Sequence, residues 1–157
     1  MKIHLHCYTY GRSESKVLEE LCEEVRYYKR ETGFKKQLSP SPYIVASRCS
    51  KELISNLQKD DYPILLEGLH DCWVLEQLGG KGRHISVRTH NVEHDYYNAL
   101  ADAEKLGWKR LFFRMEAKKL FRYEAILAKA DSILAISEKD AGHFRNQGFR
   151  NVHLIPP

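Results

Sequence analysis

Short apolar runs with strand character alternate with helix-like segments along the whole chain. Strands joined by helical crossovers must run parallel, and a parallel sheet needs helices over both of its faces. The pattern therefore predicts the α/β class, as a Rossmann-like, doubly wound parallel sheet of about six strands. With 157 residues, the chain has the usual size of one domain.

The positions of six strands and several helices follow from hydrophobic periodicity. Strands are predicted at residues 2–10, 25–29, 62–66, 85–91, 132–136 and 152–155. Helices are predicted at residues 44–57, 71–78, 94–130 and 138–146, with Gly107 dividing the third of these into two. The segment 18–25 fits a helix or a strand, and a short helix that leads into the second strand is the preferred interpretation.

Composition excludes several classes of protein. The chain is 43% hydrophobic and 29% charged, as in an ordinary globular domain. Its apolar stretches are far shorter than the roughly 20 residues that span a bilayer, and its first ten residues do not resemble a signal peptide. Four widely spaced cysteines suit reduced thiols, so the predicted location is the cytoplasm. A net charge of +4 is too weak to indicate nucleic acid but is compatible with phosphate-bearing ligands.

Four predicted strands end in polar or glycine-rich sequence. These ends are Tyr10-Gly11-Arg12, Glu67-Gly68-Leu69-His70, the run from Arg88 through His90 and Asn91 to His94, and Ser137-Glu138-Lys139-Asp140. Because the carboxyl ends of parallel strands share one edge, we expect the four segments to converge on a ligand-binding cleft. Ordinary turn and capping chemistry would explain the same residue types without a ligand.

Each motif is weak when taken alone. Gly11 precedes a predicted helix start, where backbone N–H groups favour an anion, yet a lone glycine is more often only a turn. The glycine-rich run 79–83 precedes a strand and is predicted to be a loop at the other end of the sheet. Ser137, with Asp140 three residues later, is typical of a helix cap, and no serine lies in a G-x-S-x-G elbow.

His90 and His94 lie four residues apart beside acidic residues, which would suit a metal if both were on one helix. The segment is not H-E-x-x-H, and Asn91 separates the strand end from the helix start. We therefore predict no metal site. His90 is expected either to hydrogen-bond a ligand or to bond the nearby backbone.

One helical region is rich in basic and aromatic residues. It contains Lys105, Lys109, Arg110, Arg114, Lys118, Lys119 and Arg122 together with Trp108, Phe112 and Phe113. Such a helix could lie on an anionic membrane, where each basic residue contributes roughly 1 kcal/mol, and would place the protein peripherally on the inner membrane face. A solvated basic face over a core-facing aromatic stripe is the simpler interpretation.

The order of these segments resembles the amino-terminal half of bacterial sugar-nucleotide glycosyltransferases of the GT-B fold, particularly mannosyltransferases. The likeness is carried by Ile3-His4-Leu5-His6, Gly11, the run from Pro63 to Gly68, Arg88-Thr89-His90-Asn91 and Leu134-Ala135-Ile136-Ser137. It covers residues 1–157 as one Rossmann-like acceptor-side domain. The resemblance implies a second, donor-binding domain that is absent from these residues, and this half alone is expected to be inactive.

The resemblance implies a retaining hexosyltransferase of polysaccharide or glycoconjugate biosynthesis. The whole enzyme would move a sugar from a nucleoside-diphosphate sugar to a glycan or lipid-linked acceptor, with neither cofactor nor metal. The turn Gly11-Arg12 would approach the donor diphosphate, and His90 would lie near the transferred sugar. Position alone assigns further residues to the cleft: Glu67, Gly68, His70, Asn91 and Ser137.

Glu116 and Glu124 repeat the spacing of two glutamates in the second domain of that family. They lie on a predicted crossover helix, away from the strand ends, and are not given the role of those glutamates.

Two other functions stay open. One is a stand-alone module that binds a phosphorylated or anionic small molecule, and the other is a metal-dependent hydrolase that uses His90, His94 and nearby carboxylates.

Overall fold

The computed structural model describes residues 2–11 and 14–156, and its α/β architecture confirms the predicted fold class. The strands are β1 His4–Thr9, β2 Glu24–Lys29, β3 Ile64–Glu67, β4 Ile85–Thr89, β5 Ser132–Ala135 and β6 Val152–Leu154. The helices are α1 Lys16–Leu21, α2 Phe34–Gln37, α3 Tyr43–Ala46, α4 Lys51–Leu57, α5 Trp73–Leu78, α6 Glu93–Ala103, α7 Gly107–Tyr123 and α8 Glu138–Asn146. Two 3₁₀ turns, Leu69–Asp71 and Glu124–Lys129, complete the fold.

All six strands are parallel, but they form two sheets where a single sheet was predicted. β1 pairs with β2, and a second sheet has the strand order β3-β4-β5-β6. Among residues 2–11 and 14–156, no hydrogen-bonded ladder joins the two sheets, and side chains connect β1 to the segment before β3. The His4 ring packs edge-on against Tyr62 at 5.2 Å, and His4 Nδ1 lies 3.9 Å from Asp60.

Buried polar groups also join the small sheet to the rest of the molecule. The Tyr28 hydroxyl lies 2.8 Å from His6 Nδ1 and accepts a hydrogen bond of 3.0 Å from Asn56 on α4. The Tyr8 hydroxyl donates to the backbone carbonyl of Arg48, in the α3–α4 connection. Because Tyr28 and Asn56 are buried, these bonds replace water that the groups have lost.

The apolar core lies around the four-stranded sheet. Ile85 and Val87 on β4 and Ile133 and Ala135 on β5 are almost completely buried, and they alternate with partly buried residues, so one face of these two strands carries the core. Phe144 on α8 packs into the same core. The inward-facing residues of the central strands therefore fix the four-stranded sheet and its strand ends.

The predicted helix over residues 44–57 is two helices, α3 and α4. Ser50 interrupts it because its side chain accepts a hydrogen bond of 3.2 Å from the backbone N–H of Leu53 and so caps α4. By contrast, Gly107 begins α7 as predicted, and α8 covers the predicted range 138–146. The break between α3 and α4 leaves Ser47 and Arg48 in a connection that reaches the strand ends.

The two segments that sequence analysis singled out for composition have structural partners. Arg83, in the glycine-rich loop, donates 2.5 and 2.7 Å hydrogen bonds to the Tyr62 carbonyl and to Asp60, so it holds the approach to β3. The basic region forms α7 and packs against α6. Within residues 2–11 and 14–156, no helix has both the length and the apolar character needed to cross a membrane.

Replacement of Asn56 by Ala should test the junction between the small sheet and α4. The variant loses the bond to the buried Tyr28 hydroxyl, and we expect the free energy of unfolding to fall by about 1–3 kcal/mol. Urea denaturation measures the change. Asn146→Ala, at an exposed position of α8, is the matched control and should change stability little. Equal effects of both substitutions would contradict a structural role of this junction.

Candidate functional site

Glu67 and His90 meet at the carboxyl edge of β3 and β4. The register pairs Glu67 with Arg88, and Glu67 Oε2 accepts a hydrogen bond of 3.3 Å from Arg88 Nη1. The same oxygen lies 3.1 Å from His90 Nε2. Both side chains remain partly exposed, so this carboxylate can orient the imidazole while leaving it accessible to a ligand.

Gly68 and His70 form a tight turn directly after β3. The backbone of Gly68 has a φ of +108°, and a Cβ there would lie 2.6 Å from His70 Cε1. A side chain at this position would therefore be strained and would also displace the imidazole. Glycine allows the His70 ring to pack against the end of β3.

His70 and Asp71 are ionisable groups in an environment that opposes charge. Burial, together with the positive charges of Arg48, His90 and Arg30, lowers the pKa of His70 to about 4. Burial raises the pKa of Asp71 to about 6, although Arg48 acts in the opposite direction. Asp71 Oδ1 is buried and has no hydrogen-bond partner among the described residues. Such perturbed, unsatisfied groups at strand ends are typical of functional sites.

Two arginines that sequence analysis did not identify extend this cluster. Arg30 follows β2, and its guanidinium carbon lies 4.3 Å from the centre of the Tyr10 ring; that of Arg48 lies 5.8 Å from the same centre. Arg30 also donates hydrogen bonds of 2.8 and 3.2 Å to the Ser47 hydroxyl. Arg48 Nε is 3.9 Å from Asp71 Oδ1. The strand-end argument could have found Arg30, whereas Arg48 fell inside a predicted helix.

A series of contacts connects this cationic group to the Glu67–His90 pair. It runs from Tyr10 to Arg48, then to Asp71, whose Oδ2 lies 3.5 Å from His70 Nε2. Burial and Arg48 chiefly lower the pKa of His70, and a positive charge on His90 lowers it further, so His90 is an electrostatic neighbour of His70. We call the set Tyr10, Arg30, Arg48, Glu67, His70, Asp71 and His90 the rim cluster. It joins positive charge to hydrogen-bonding groups on one edge of the molecule.

The predicted phosphate-binding turn at Gly11 does not lie directly before a helix, as had been expected. Gly11 has a φ of +67°, which favours glycine, and the space around its Cβ position is open. Helix α1 begins only at Lys16, with Ser15 as its N-cap, so Gly11 does not begin the helix. Gly11 directly follows Tyr10 of the rim cluster. The predicted partner Arg12 lies outside the described residues.

Asn91 and Ser137, both assigned to the cleft, differ in whether their side-chain oxygen already has a hydrogen-bond partner. Asn91 Oδ1 is buried without a hydrogen-bond partner in the described part of the chain. The Ser137 hydroxyl accepts a 3.1 Å hydrogen bond from the Asp140 N–H and donates to the Asp140 carboxylate, which confirms the predicted helix cap. The assignment of either residue to a ligand stays a prediction, and capping already occupies Ser137.

The two histidines that could have formed a metal pair lie in different surroundings. His90 follows β4 and contacts Glu67, whereas His94 is on α6 and its Nδ1 lies 3.1 Å from Glu124.

Glu116 and Glu124, the two glutamates with seven residues between them, are buried and already have partners. Glu116 accepts a 2.6 Å hydrogen bond from the Tyr43 N–H and forms an ion pair with Lys119, whereas Glu124 contacts His94 and His143.

A cavity of about 390 Å³ lies between the end of β2 and the α3–α4 connection. Lys29, Ser47 and Arg48 are among the residues that line it, together with three tyrosines. Glu67, His70 and His90 do not line it. The cavity therefore adds space beside the cationic part of the rim cluster and does not enclose the rest.

Replacement of Asp71 by Asn should reveal the cost of this buried carboxylate. Its folded pKa of about 6 exceeds the ordinary 3.8, so the folded protein keeps a proton that the unfolded chain has released. Its contribution to stability is therefore lost as the pH rises through this range. Between about pH 4.5 and about pH 7, the free energy of unfolding of the variant relative to wild type should rise on the order of 2 kcal/mol.

Urea denaturation at the two pH values measures this difference. Asp61→Asn is the control because Asp61 is exposed and lies outside the rim cluster. A stability difference between Asp71→Asn and wild type that stays constant with pH, or that falls as the pH rises, would contradict the assignment.

Comparisons with known proteins add no identification. Neither family models, nor curated proteins, nor solved structures gave a match to this chain.

Proposed function

We propose that this chain forms the acceptor-side half of a retaining glycosyltransferase with GT-B architecture. Together with a donor-binding domain, it would transfer a hexose from a nucleoside-diphosphate sugar to a glycan or lipid-linked acceptor, and mannose is the first sugar to test. The observation that carries the proposal is the rim cluster. Arg30 and Arg48 supply positive charge on the same edge on which Glu67 and His90 supply hydrogen-bonding groups.

The charge balance of the cluster favours an anion. Among residues 2–11 and 14–156, Arg30 has no carboxylate within ion-pair distance, and Arg48 has only Asp71, at 3.9 Å, whose pKa burial raises to about 6. Burial raises the pKa of Glu93, and the charge of Arg48 acts in the opposite direction, so this carboxylate lies in the wider surroundings of Arg48. The two guanidinium groups therefore have one carboxylate within ion-pair distance. Guanidinium groups bind phosphate oxygens with strong, charge-assisted hydrogen bonds, and a diphosphate would offer acceptors to both.

His90 would act on the sugar and not on the phosphates. In the neutral ring, the proton lies on Nε2, where Glu67 Oε2 can accept it, and Nδ1 can then accept a hydrogen bond from a sugar hydroxyl. The arginines would stabilise the negative charge that grows on the leaving diphosphate. Interactions of this kind accelerate transfer where they strengthen in the transition state. His90 thereby orients the substrate without becoming a nucleophile.

Sugar transfer by the protein encoded by the complete reading frame tests the proposal. Purified protein is incubated with GDP-mannose or UDP-glucose and a lipid-linked oligosaccharide, and transfer of labelled sugar is measured. His90→Ala should lower the rate by about 100-fold because the sugar loses an orienting group. His153→Ala, at an exposed position of β6, is the control and should leave the rate unchanged.

Two outcomes would contradict the proposal in different ways. Transfer by residues 1–157 alone would show that no second domain is needed. A complete protein that turns over no sugar nucleotide would remove the enzymatic assignment altogether.

A stand-alone anion-binding module is the second candidate, and the unpaired guanidinium of Arg30 favours it specifically. Calorimetric titration with inorganic diphosphate tests the anion site that both functions require, and the turnover assay separates them. Both predict binding that Arg48→Gln weakens about tenfold, since one charge-assisted contact is lost. Only the glycosyltransferase predicts turnover of a sugar nucleotide by the complete protein, so binding without turnover favours the module.

We further propose peripheral contact between α7 and an anionic membrane. Trp108 is 70% exposed, and Leu111 and Met115, one and two turns further along α7, are also exposed. Five of the seven basic residues have no ion-pair partner in the described ranges, namely Lys105, Lys109, Arg110, Lys118 and Arg122. Apolar anchors flanked by unpaired cations suit a helix in the membrane interface.

Cosedimentation with vesicles tests this contact. Binding should be stronger to vesicles that contain phosphatidylglycerol than to pure phosphatidylcholine, and salt should weaken it. The double variant Trp108→Ser/Leu111→Ser should lose at least about tenfold in partitioning because two apolar anchors are removed. Leu21→Ser, an equally exposed apolar position on α1, is the control. Equal binding to both kinds of vesicle, or loss with the control, would contradict the proposal.

A further inference from the structure

Three side chains from separate elements meet away from the rim cluster. His94 belongs to the first turn of α6, Glu124 follows α7, and His143 is on α8. Glu124 Oε2 lies 3.1 Å from His94 Nδ1, and Glu124 Oε1 lies 2.7 Å from His143 Nε2. One ligand atom from each residue lies within 4.8 Å of the others.

The three side chains are buried to different extents, and the buried Glu124 carboxylate needs a partner. Glu124 and His94 are 4% and 9% exposed, whereas the side chain of His143 is 21% exposed. A buried carboxylate requires compensation by protons or by a cation. The two imidazoles can donate N–H groups to it, but the same three atoms also make a nitrogen-rich ligand set with one side open to solvent.

The distances fit a transition metal ion. Zn–N and Zn–O bonds of about 2.0–2.2 Å in a tetrahedral site separate neighbouring ligand atoms by about 3.4 Å. The separations of 3.1 Å to Oε2 and 2.7 Å to Oε1 of Glu124 need to expand by tenths of an ångström to reach that spacing. One ligand atom from each residue lies within 4.8 Å of the others, so the wider separations in the set must contract around the ion. Imidazole nitrogens with one carboxylate oxygen suit zinc better than magnesium or calcium, which prefer oxygen ligands.

Neighbouring groups orient both rings. Asp95 Oδ1 lies 3.6 Å from His94 Nε2, on the side of the ring opposite Glu124. The rings of His94 and His143 pack edge-on against Phe121 at 5.0 Å and Phe144 at 5.2 Å, respectively. A carboxylate behind a metal-binding histidine fixes its tautomer, and aromatic packing fixes its plane.

We propose that His94, Glu124 and His143 bind one divalent transition metal ion, with Zn²⁺ the best fit to the donor set. Nδ1 of His94 and Nε2 of His143 supply lone pairs, so each neutral ring carries its proton on the other nitrogen: Nε2 of His94, beside Asp95, and Nδ1 of His143. Water completes the coordination on the exposed side of His143. The ion ties α6, the end of α7 and α8 together. The site shares no residue with the rim cluster, and its role is to stabilise the fold.

Zinc titration of the full chain tests the site. The chain, without an affinity tag, is treated with a chelator, and ZnCl₂ is added in a calorimeter and in a thermal-unfolding assay. We expect one ion per chain and a Tm raised by several degrees, because the ion binds the folded state preferentially. CoCl₂ should give the visible absorption of a tetrahedral site without a thiolate charge-transfer band, which excludes binding by the cysteines.

Variants identify the ligands. His143→Gln, at the most exposed member of the trio, should fold and should lose the Tm increase. Asp95→Asn should weaken zinc binding by on the order of 10- to 100-fold because it acts through His94. His153→Gln, at an exposed position, is the control and should bind as wild type does. Absence of one-site binding of both metals to wild type, or unchanged affinity in His143→Gln, would overturn the proposal.

Discussion

The parallel register of β3 against β4 is the constraint on which the rim cluster depends. Ile64 and Leu66 are buried and alternate with the exposed Leu65 and Glu67. A slip of one residue would turn both apolar side chains toward solvent and bury Glu67, so core burial fixes the register. In that register Glu67 pairs with Arg88, and its carboxylate reaches His90. Packing energy in the sheet thereby positions a pair of polar groups at its edge.

Two other members of the rim cluster, His70 and Asp71, lower the stability of the folded protein. Burial keeps His70 neutral, with a pKa of about 4, and raises the pKa of Asp71 to about 6. Asp71 also retains a buried oxygen without a hydrogen bond in the described part of the chain. A core chosen for stability alone would place apolar groups here. Perturbed groups of this kind persist where binding or catalysis uses them, which makes the cluster a better guide to function than any single motif in the sequence.

Local signals predicted most of the fold but not how distant segments combine. The Ser137 cap, the division at Gly107 and the bounds of α8 depend on neighbouring residues, so a sequence pattern suffices for them. The separation into two sheets depends instead on side chains from different segments, such as His4 against Tyr62.

The candidate site was only partly predictable for the same reason. Strand-end logic identified Glu67, His70 and His90, which lie at the edge of the sheet. Arg48 was missed because the periodicity of residues 44–57 hides the break that Ser50 creates. Sequence spacing likewise could not indicate that His94 and His143 share Glu124, since 49 positions separate the two histidines.

The division into two sheets and the cationic part of the rim cluster have a common structural basis. No ladder of hydrogen bonds joins β1 to β3 in the described residues, so the small sheet is attached through bonds to the α3–α4 connection. Tyr8 donates to the Arg48 carbonyl, the Glu31 N–H donates to the Ser47 carbonyl at 2.9 Å, and Arg30 holds the Ser47 hydroxyl.

Arg30 follows β2 of the small sheet, whereas Arg48 belongs to the α3–α4 connection, so the two arginines lie on opposite sides of the contact between them. Two like charges there repel each other: burial lowers the pKa of Arg48, and the positive charge of Arg30 lowers it further. An anion bound by both guanidinium groups would convert that repulsion into a link between the small sheet and the rest of the domain. Ligand binding at the rim would then also strengthen the attachment of the small sheet to the rest of the domain.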